Sequence, residues 1–152
     1  MVRTRKRWGL LLVGAVILLL LILYPWFGCT IDRDQVQVSL GKGWAALTQG
    51  GAAAGFALNV TNSGSCDLHL EAVKVTVHAA TYRDGSVEEL ELTETQDATS
   101  TVSPRQTRQV DFIFDHMFPM SPTQLSLRVE MSFREVGTIL VFDGQLQIPV
   151  RA

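Results

Sequence analysis

Two hydrophobic patterns divide the chain. Residues 9–27 read Gly-Leu-Leu-Leu-Val-Gly-Ala-Val-Ile-Leu-Leu-Leu-Leu-Ile-Leu-Tyr-Pro-Trp-Phe, with no charge and no polar stripe. As a helix rising about 1.5 Å per residue this run covers about 28 Å, close to the hydrocarbon thickness of a bilayer. Trp8 at one end, with Tyr24, Trp26 and Phe27 at the other, resembles an interfacial aromatic belt, and Pro25 would end or kink the helix there. The pattern predicts a transmembrane helix over 9–27.

After residue 34 the period changes to two. Val36, Val38 and Leu40 alternate with Gln35, Gln37 and Ser39, and Phe56, Leu58 and Val60 with Ala57, Asn59 and Thr61. Val110, Phe112 and Phe114 follow the same rule, and the longest case is Leu125, Leu127, Val129, Met131 and Phe133. Such alternation marks strands with one apolar and one wet face. Leu68 and Leu70 are even while Val73, Val75 and Val77 are odd, so a bulge is expected near Ala72. A further strand is expected over Val87–Leu92. Ile139–Phe142, then Asp143-Gly144, then Leu146, Ile148 and Val150 reads as a hairpin closed by a tight turn. Residues 44–55, rich in Ala and Gly, fit a loop or a short irregular helix. About eight short strands separated by Gly, Asn, Asp, Ser and Pro clusters predict an all-β fold. Its architecture is an antiparallel immunoglobulin-like β-sandwich preceded by one N-terminal transmembrane helix. The expected division is a basic tail over 1–8, the helix over 9–27, a linker over 28–33 and the sandwich over 34–152.

Composition agrees with that division. The whole chain is 47% hydrophobic and 18% charged, with a mean hydropathy of +0.19, too apolar for an ordinary domain until the first segment is set aside. Arg3, Arg5, Lys6 and Arg7 precede the apolar run, and Asp32, Arg33 and Asp34 follow it. The positive-inside rule then places the N-terminus in the cytoplasm and the C-terminal domain outside it or in a lumen, making the segment a signal-anchor. A cleaved signal peptide competes, but bulky Pro25, Trp26 and Phe27 stand where small residues belong. Gly28-Cys29 resembles the end of a bacterial lipoprotein signal, which would lipidate Cys29, and a pilin-type signal fits Arg7-Trp8-Gly9 poorly. The remaining nine basic and fifteen acidic residues give the outer part a net charge of −6, which argues against nucleic acid as a partner.

Reactive constellations are sparse. His69, His78 and His116, even with Cys66 added, have no zinc-ligand spacing, so no metal site is expected. Gly41-Lys42-Gly43-Trp44 lacks the features of a phosphate loop, and Ser63-Gly64-Ser65-Cys66 those of a nucleophile elbow. Glu88, Glu89, Glu91, Glu94 and Asp97 read as a solvated edge. No catalytic residue, cofactor or small-molecule substrate is expected, and the chain is read as a non-enzyme. Three weaker features remain. Asn59-Val60-Thr61 is a glycosylation sequon at Asn59. Cys29 and Cys66 could pair on an oxidising side of a membrane. Met117, Phe118 and Met120, in a loop with Asp115-His116, Pro119 and Pro122, read as hydrophobic plugs of a capped turn, or alternatively as an exposed docking surface.

The stretch from Phe56 to Gly85, with Asn62 at a turn between two alternating strands and Thr81-Tyr82-Arg83-Asp84-Gly85 at the next, resembles the late-embryogenesis-abundant type 2 (LEA type 2) family. Ser103-Pro104-Arg105-Gln106-Thr107 is similar to that family's segment returning to the sheet. The resemblance implies a β-sandwich on a single-pass anchor, roles in stress tolerance, defence or trafficking, and no catalytic residues. The expected function is a non-enzymatic membrane protein that presents a β-sandwich for protein or lipid interaction near the bilayer surface. Its expected partners are the lipid bilayer and a protein. The alternatives are an envelope lipoprotein or pilin-like assembly subunit, and a stress-protective structural module without a specific partner.

Overall fold

The computed structural model describes residues 2–23 and 29–150. Its first element is a helix, α1 (Val2–Leu23), favoured by a run of leucines with high helix propensity. The expected transmembrane segment needs correction. Among the described residues no helix is long and apolar enough to cross a membrane. The first turns of α1 are occupied by Arg3, Arg5, Lys6 and Arg7, so its apolar part runs only from Trp8 or Gly9 to Leu23. That length is about 22 Å at 1.5 Å per residue, against a hydrocarbon core of about 30 Å. Tyr24–Phe27, which were to complete the span, lie outside the described residues. The single-pass topology, the cytoplasmic N-terminus, the signal-anchor and the bilayer as partner all rested on that span and fall with it.

Seven strands follow a 3-10 turn at Arg33–Gln35. They are β1 (Val36–Thr48), β2 (Gly51–Asn62), β3 (Leu68–Tyr82), β4 (Val87–Val102), β5 (Gln106–Ile113), β6 (Pro122–Phe133) and β7 (Leu140–Gln147). They form two antiparallel sheets, one in the order β1-β2-β5 and one in the order β4-β3-β6-β7. Each inward-facing set predicted by alternation supplies core. Phe56, Leu58 and Val60 from β2 and Val110 and Phe112 from β5 meet Val73, Val75 and Val77 from β3. Leu125, Leu127, Val129 and Met131 from β6 complete the layer, all of these side chains being buried. Phe56, Phe112 and Phe114 pack ring against ring at 5.2–5.8 Å, a spacing that adds to their area burial. The parity change in β3 is a register shift between Leu70 and Ala72, and a second one falls between Val77 and Ala79.

Two further expectations differ from what is seen. The Ala- and Gly-rich stretch 44–55 is the tip of the β1–β2 hairpin, in which Trp44 pairs with Gly55 and Thr48 with Gly51. Its small residues make room rather than loop. A Cβ on Gly55 would stand 2.7 Å from the Phe112 carbonyl and 2.7 Å from the Trp44 ring, so the indole lies on the glycine. Asp143-Gly144 is no turn. It sits inside β7, where Arg128 holds Asp143 across the ladder through Nε at 2.8 Å and Nη2 at 3.2 Å. These hydrogen bonds lower the Asp143 pKa from its ordinary value. Gly144 faces Leu40 of β1, whose Cδ1 would meet a Cβ at 2.7 Å. Merging the two expected strands gives seven rather than eight. The two glycines predict a contrast. Gly55→Ala meets backbone and a ring, and should cost about 1–3 kcal/mol. Gly144→Ala meets only the end of a leucine, and should cost less than about 1 kcal/mol. Urea denaturation of the two variants checks the difference.

Candidate functional site

The sandwich has two seams, and they are closed by different means. At the first, side chains of β4 bond the outer main chain of β5 and the loop after it. Glu94 Oε1 accepts from the Asp115 N–H at 2.7 Å. Gln96 donates to the Asp111 carbonyl at 3.2 Å, and Arg108 reaches back to the Thr101 carbonyl at 2.9 Å. An open strand edge is thereby occupied by side chains instead of a neighbouring chain. The sequence reading gave Glu94 to a solvated acidic edge and did not single out Gln96. Their role was hidden because it depends on where β5 passes, not on anything local to β4.

At the second seam, β1 and β7 approach through missing side chains. Leu40 rests over Gly144, and Gly43 leaves room for Leu146 and Ile148. Among the described residues no ladder joins β1 to β7. Ile148 still donates to the Thr123 carbonyl of β6 at 2.9 Å, but residues 149–150 lie beyond the strand and Pro149 has no N–H to donate. The gap is a cleft of about 650 Å³ whose lining includes Ala45, Leu47, Met120, Pro122, Ile148 and Val150. Leu47 is 78% exposed at its rim, with Met120 and Val150 also open to solvent. The β3–β4 turn beside it is fixed by Asp84, whose carboxylate accepts the Ser86 hydroxyl at 2.5 Å and the Ser86 N–H at 2.9 Å. Those bonds lower the Asp84 pKa.

The residues singled out in the sequence fall in several places. Phe118 is fully buried, as the plug reading has it and against its use in an exposed docking surface. Its N–H donates to the Ala52 carbonyl at 2.9 Å and its carbonyl accepts from Ala52 at 2.7 Å. Its ring stands edge-on to Phe114 and His116. Pinned in this way, the loop leaves Met117 and Met120 exposed, and of the three only Met120 lines the cleft. Asn59 lies half-buried on the outer face of β2, between Ser39 and Gln109, and Thr61 shares a 2.7 Å hydroxyl contact with Thr107. Cys29 and Cys66 are bonded to each other, their Cα atoms 6.3 Å apart, at the base of the sandwich. The histidines are scattered: His69 pairs with Glu135 and His78 with Glu91, while His116 packs on Phe118. Among the described residues no group of three His, Cys, Asp or Glu could hold a metal ion.

No family model and no curated protein matches the chain. The resemblance to the LEA type 2 family is therefore withdrawn, and with it the stress-related role it implied: the alternating strands and turn residues that suggested it are common to many sandwiches. Solved structures show distant likenesses. A Bordetella pertussis protein described as ApaA is 13% identical, covering 75% of this chain and 94% of that one, with a TM-score of 0.43. A sporulation control protein from Bacillus subtilis is 12% identical, covering 77% of this chain and 49% of that one, with a TM-score of 0.41. A PapD-like domain of human CEP192 is 12% identical, covering 78% and 87%, with a TM-score of 0.39.

Proposed function

We propose that the chain is a non-enzymatic interaction module of the assembly type, whose sandwich takes up an extended segment of a protein partner in the cleft beside β1. This replaces the expected presentation of a domain at a bilayer surface, which had no described span to support it. The observation that carries the reading is Leu47, 78% exposed on the rim of an apolar cleft that an edge strand borders. Among the described residues β1 has β2 as its only ladder partner. A guest strand could therefore hydrogen-bond to the free main chain of residues 44–48 and drop alternate side chains between Leu47, Met120 and Val150. The contrast with the β4–β5 seam supports the same end: one edge is occupied by Glu94 and Gln96, and the other is left open and apolar.

A photo-crosslinking residue placed at Leu47, with a control at Thr93 on the far edge, tests this in the full chain. Position 47 should give a discrete protein adduct that is lost in Met120→Glu, while position 93 gives none. Equal adducts at both positions, or an adduct at 47 that survives both Met120→Glu and Val150→Glu, would count against the reading.

A further inference from the structure

Residues 29–35 form a strap across the base of the sandwich, and little holds it. Ile31 is its one buried side chain, 2% exposed, lying against Gly64 so closely that a Cβ there would come within 3.3 Å of it. Two main-chain bonds anchor the strap: Ile31 N–H to the Glu135 carbonyl at 2.9 Å, and Ser63 N–H to the Gln35 carbonyl at 2.7 Å. Asp32, Arg33 and Asp34 are exposed, tied only within their own turn by Gln35. The remaining attachment is covalent, from Cys29 to Cys66. The two ends of that bond are unequally held. Cys66 belongs to a turn fixed by Asn62, whose amide donates to the Cys66 carbonyl at 2.8 Å. Cys29 is exposed at the N-terminal end of the strap. Both border a hollow of about 530 Å³, with Thr30, His69 and Arg134 also on its wall, so a small thiol can reach the sulfurs.

We infer that the Cys29–Cys66 bond is a thiol-exchangeable latch that fixes the strap of residues 29–35 to the base of the sandwich. A low-molecular-weight thiolate attacks Cys29 Sγ and forms a mixed disulfide there. The S–S electron pair leaves on Cys66 Sγ, which takes up a proton. A second thiolate attacks the sulfur of the first and releases Cys29 as a thiol. Two external thiols become one disulfide, and the two cysteines gain two electrons and two protons. The strap then depends on Ile31 and two hydrogen bonds. Once released, its seven residues can span up to about 24 Å at 3.3–3.6 Å each. The sandwich itself keeps its ladders, since β1 starts at Val36 opposite Asn62.

Hydrogen exchange on the full chain, before and after dithiothreitol, tests the latch, with thiols counted in both states. The untreated chain should hold no free thiol and the treated chain two. Reduction should speed exchange at the Ile31 and Ser63 amides at least tenfold while Val75 and Val129 stay within twofold. Cys29→Ser should reproduce the reduced pattern without reductant. Free thiols before treatment, or none after it, overturn the inference, as does a strap that keeps its protection when reduced. Loss of protection at Val75 and Val129 as well also overturns it, because the bond would then hold the whole fold and not the strap.

Discussion

Truncating Phe118 to alanine is expected to destabilise the sandwich by about 3–5 kcal/mol, the range for removing a fully buried aromatic side chain. The upper half of that range applies here. A cavity costs most where its walls cannot close, and the main chain at Phe118 is fixed by two hydrogen bonds to Ala52. On its other side the hairpin cannot shift freely either, since Gly51 has φ +137° and a Cβ there would run into the Phe118 carbonyl. The rings of Phe114 and His116 would each lose an edge-on partner at 5.9 and 5.1 Å. Against a total stability of about 5–15 kcal/mol for a domain, the loss would lower the melting temperature by roughly 15–20 °C. Met120→Ala, two residues on and 44% exposed, should cost less than about 1 kcal/mol. Thermal melts of the two variants measure both. Equal, small losses would mean that Phe118 is not the plug that holds this loop.

Phe118 also shows what the sequence could and could not reveal. Period-two alternation located the core faces of β2, β5 and β6, because burying one face of a strand leaves a signal within a few residues. The parity change at Ala72 revealed the bulge for the same reason. Burial of Phe118 leaves no such trace. The residue sits in a Pro- and Met-rich loop and pairs with Ala52, far away in the chain, so the sequence left open whether it plugs the loop or faces solvent. Asp143-Gly144 misled in the opposite direction: as a dipeptide it favours a turn, but the Arg128 pair and the approach of Leu40 required an acid and a glycine inside a strand. The cleft was equally hidden. It lies between β1 and the 148–150 segment, and of its lining residues only Met120 had been singled out as a candidate interaction residue. The apolar character of the N-terminal run was plain from the sequence. Its helical length was not, because the basic residues belong to the same helix and take up its first turns.

Asn62→Leu is expected to cost about 4 kcal/mol, although it replaces a polar residue with an apolar one in a core position. Asn62 is the one buried polar residue found in the described core, at 0% exposure, and every polar atom it carries is used. Its amide donates to the Cys66 carbonyl at 2.8 Å and to the Val102 carbonyl at 2.9 Å. Its side-chain oxygen accepts from the Gly64 N–H at 2.9 Å, and its main-chain carbonyl from Arg105 at 2.7 Å. One residue thereby joins the β2–β3 turn to the β4–β5 turn, where Arg105 takes a left-handed φ of 60°. Leucine would leave two carbonyls and one N–H without partners, at about 1–3 kcal/mol for each that water cannot reach. Asn62→Asp separates the donor role from the acceptor role. A carboxylate can still accept from Gly64, but it faces two carbonyls it cannot bond unless protonated. Its pKa in the folded state should therefore lie above the unfolded value of about 3.9. The sign follows: the protonated form is the better fit, so stability is greatest below that unfolded pKa and falls as the pH rises through the folded one. Urea midpoints for Asn62→Asp should thus decline from pH 4 to pH 7 relative to the parent chain. A flat difference across that range would show that the amide's two donated bonds contribute little.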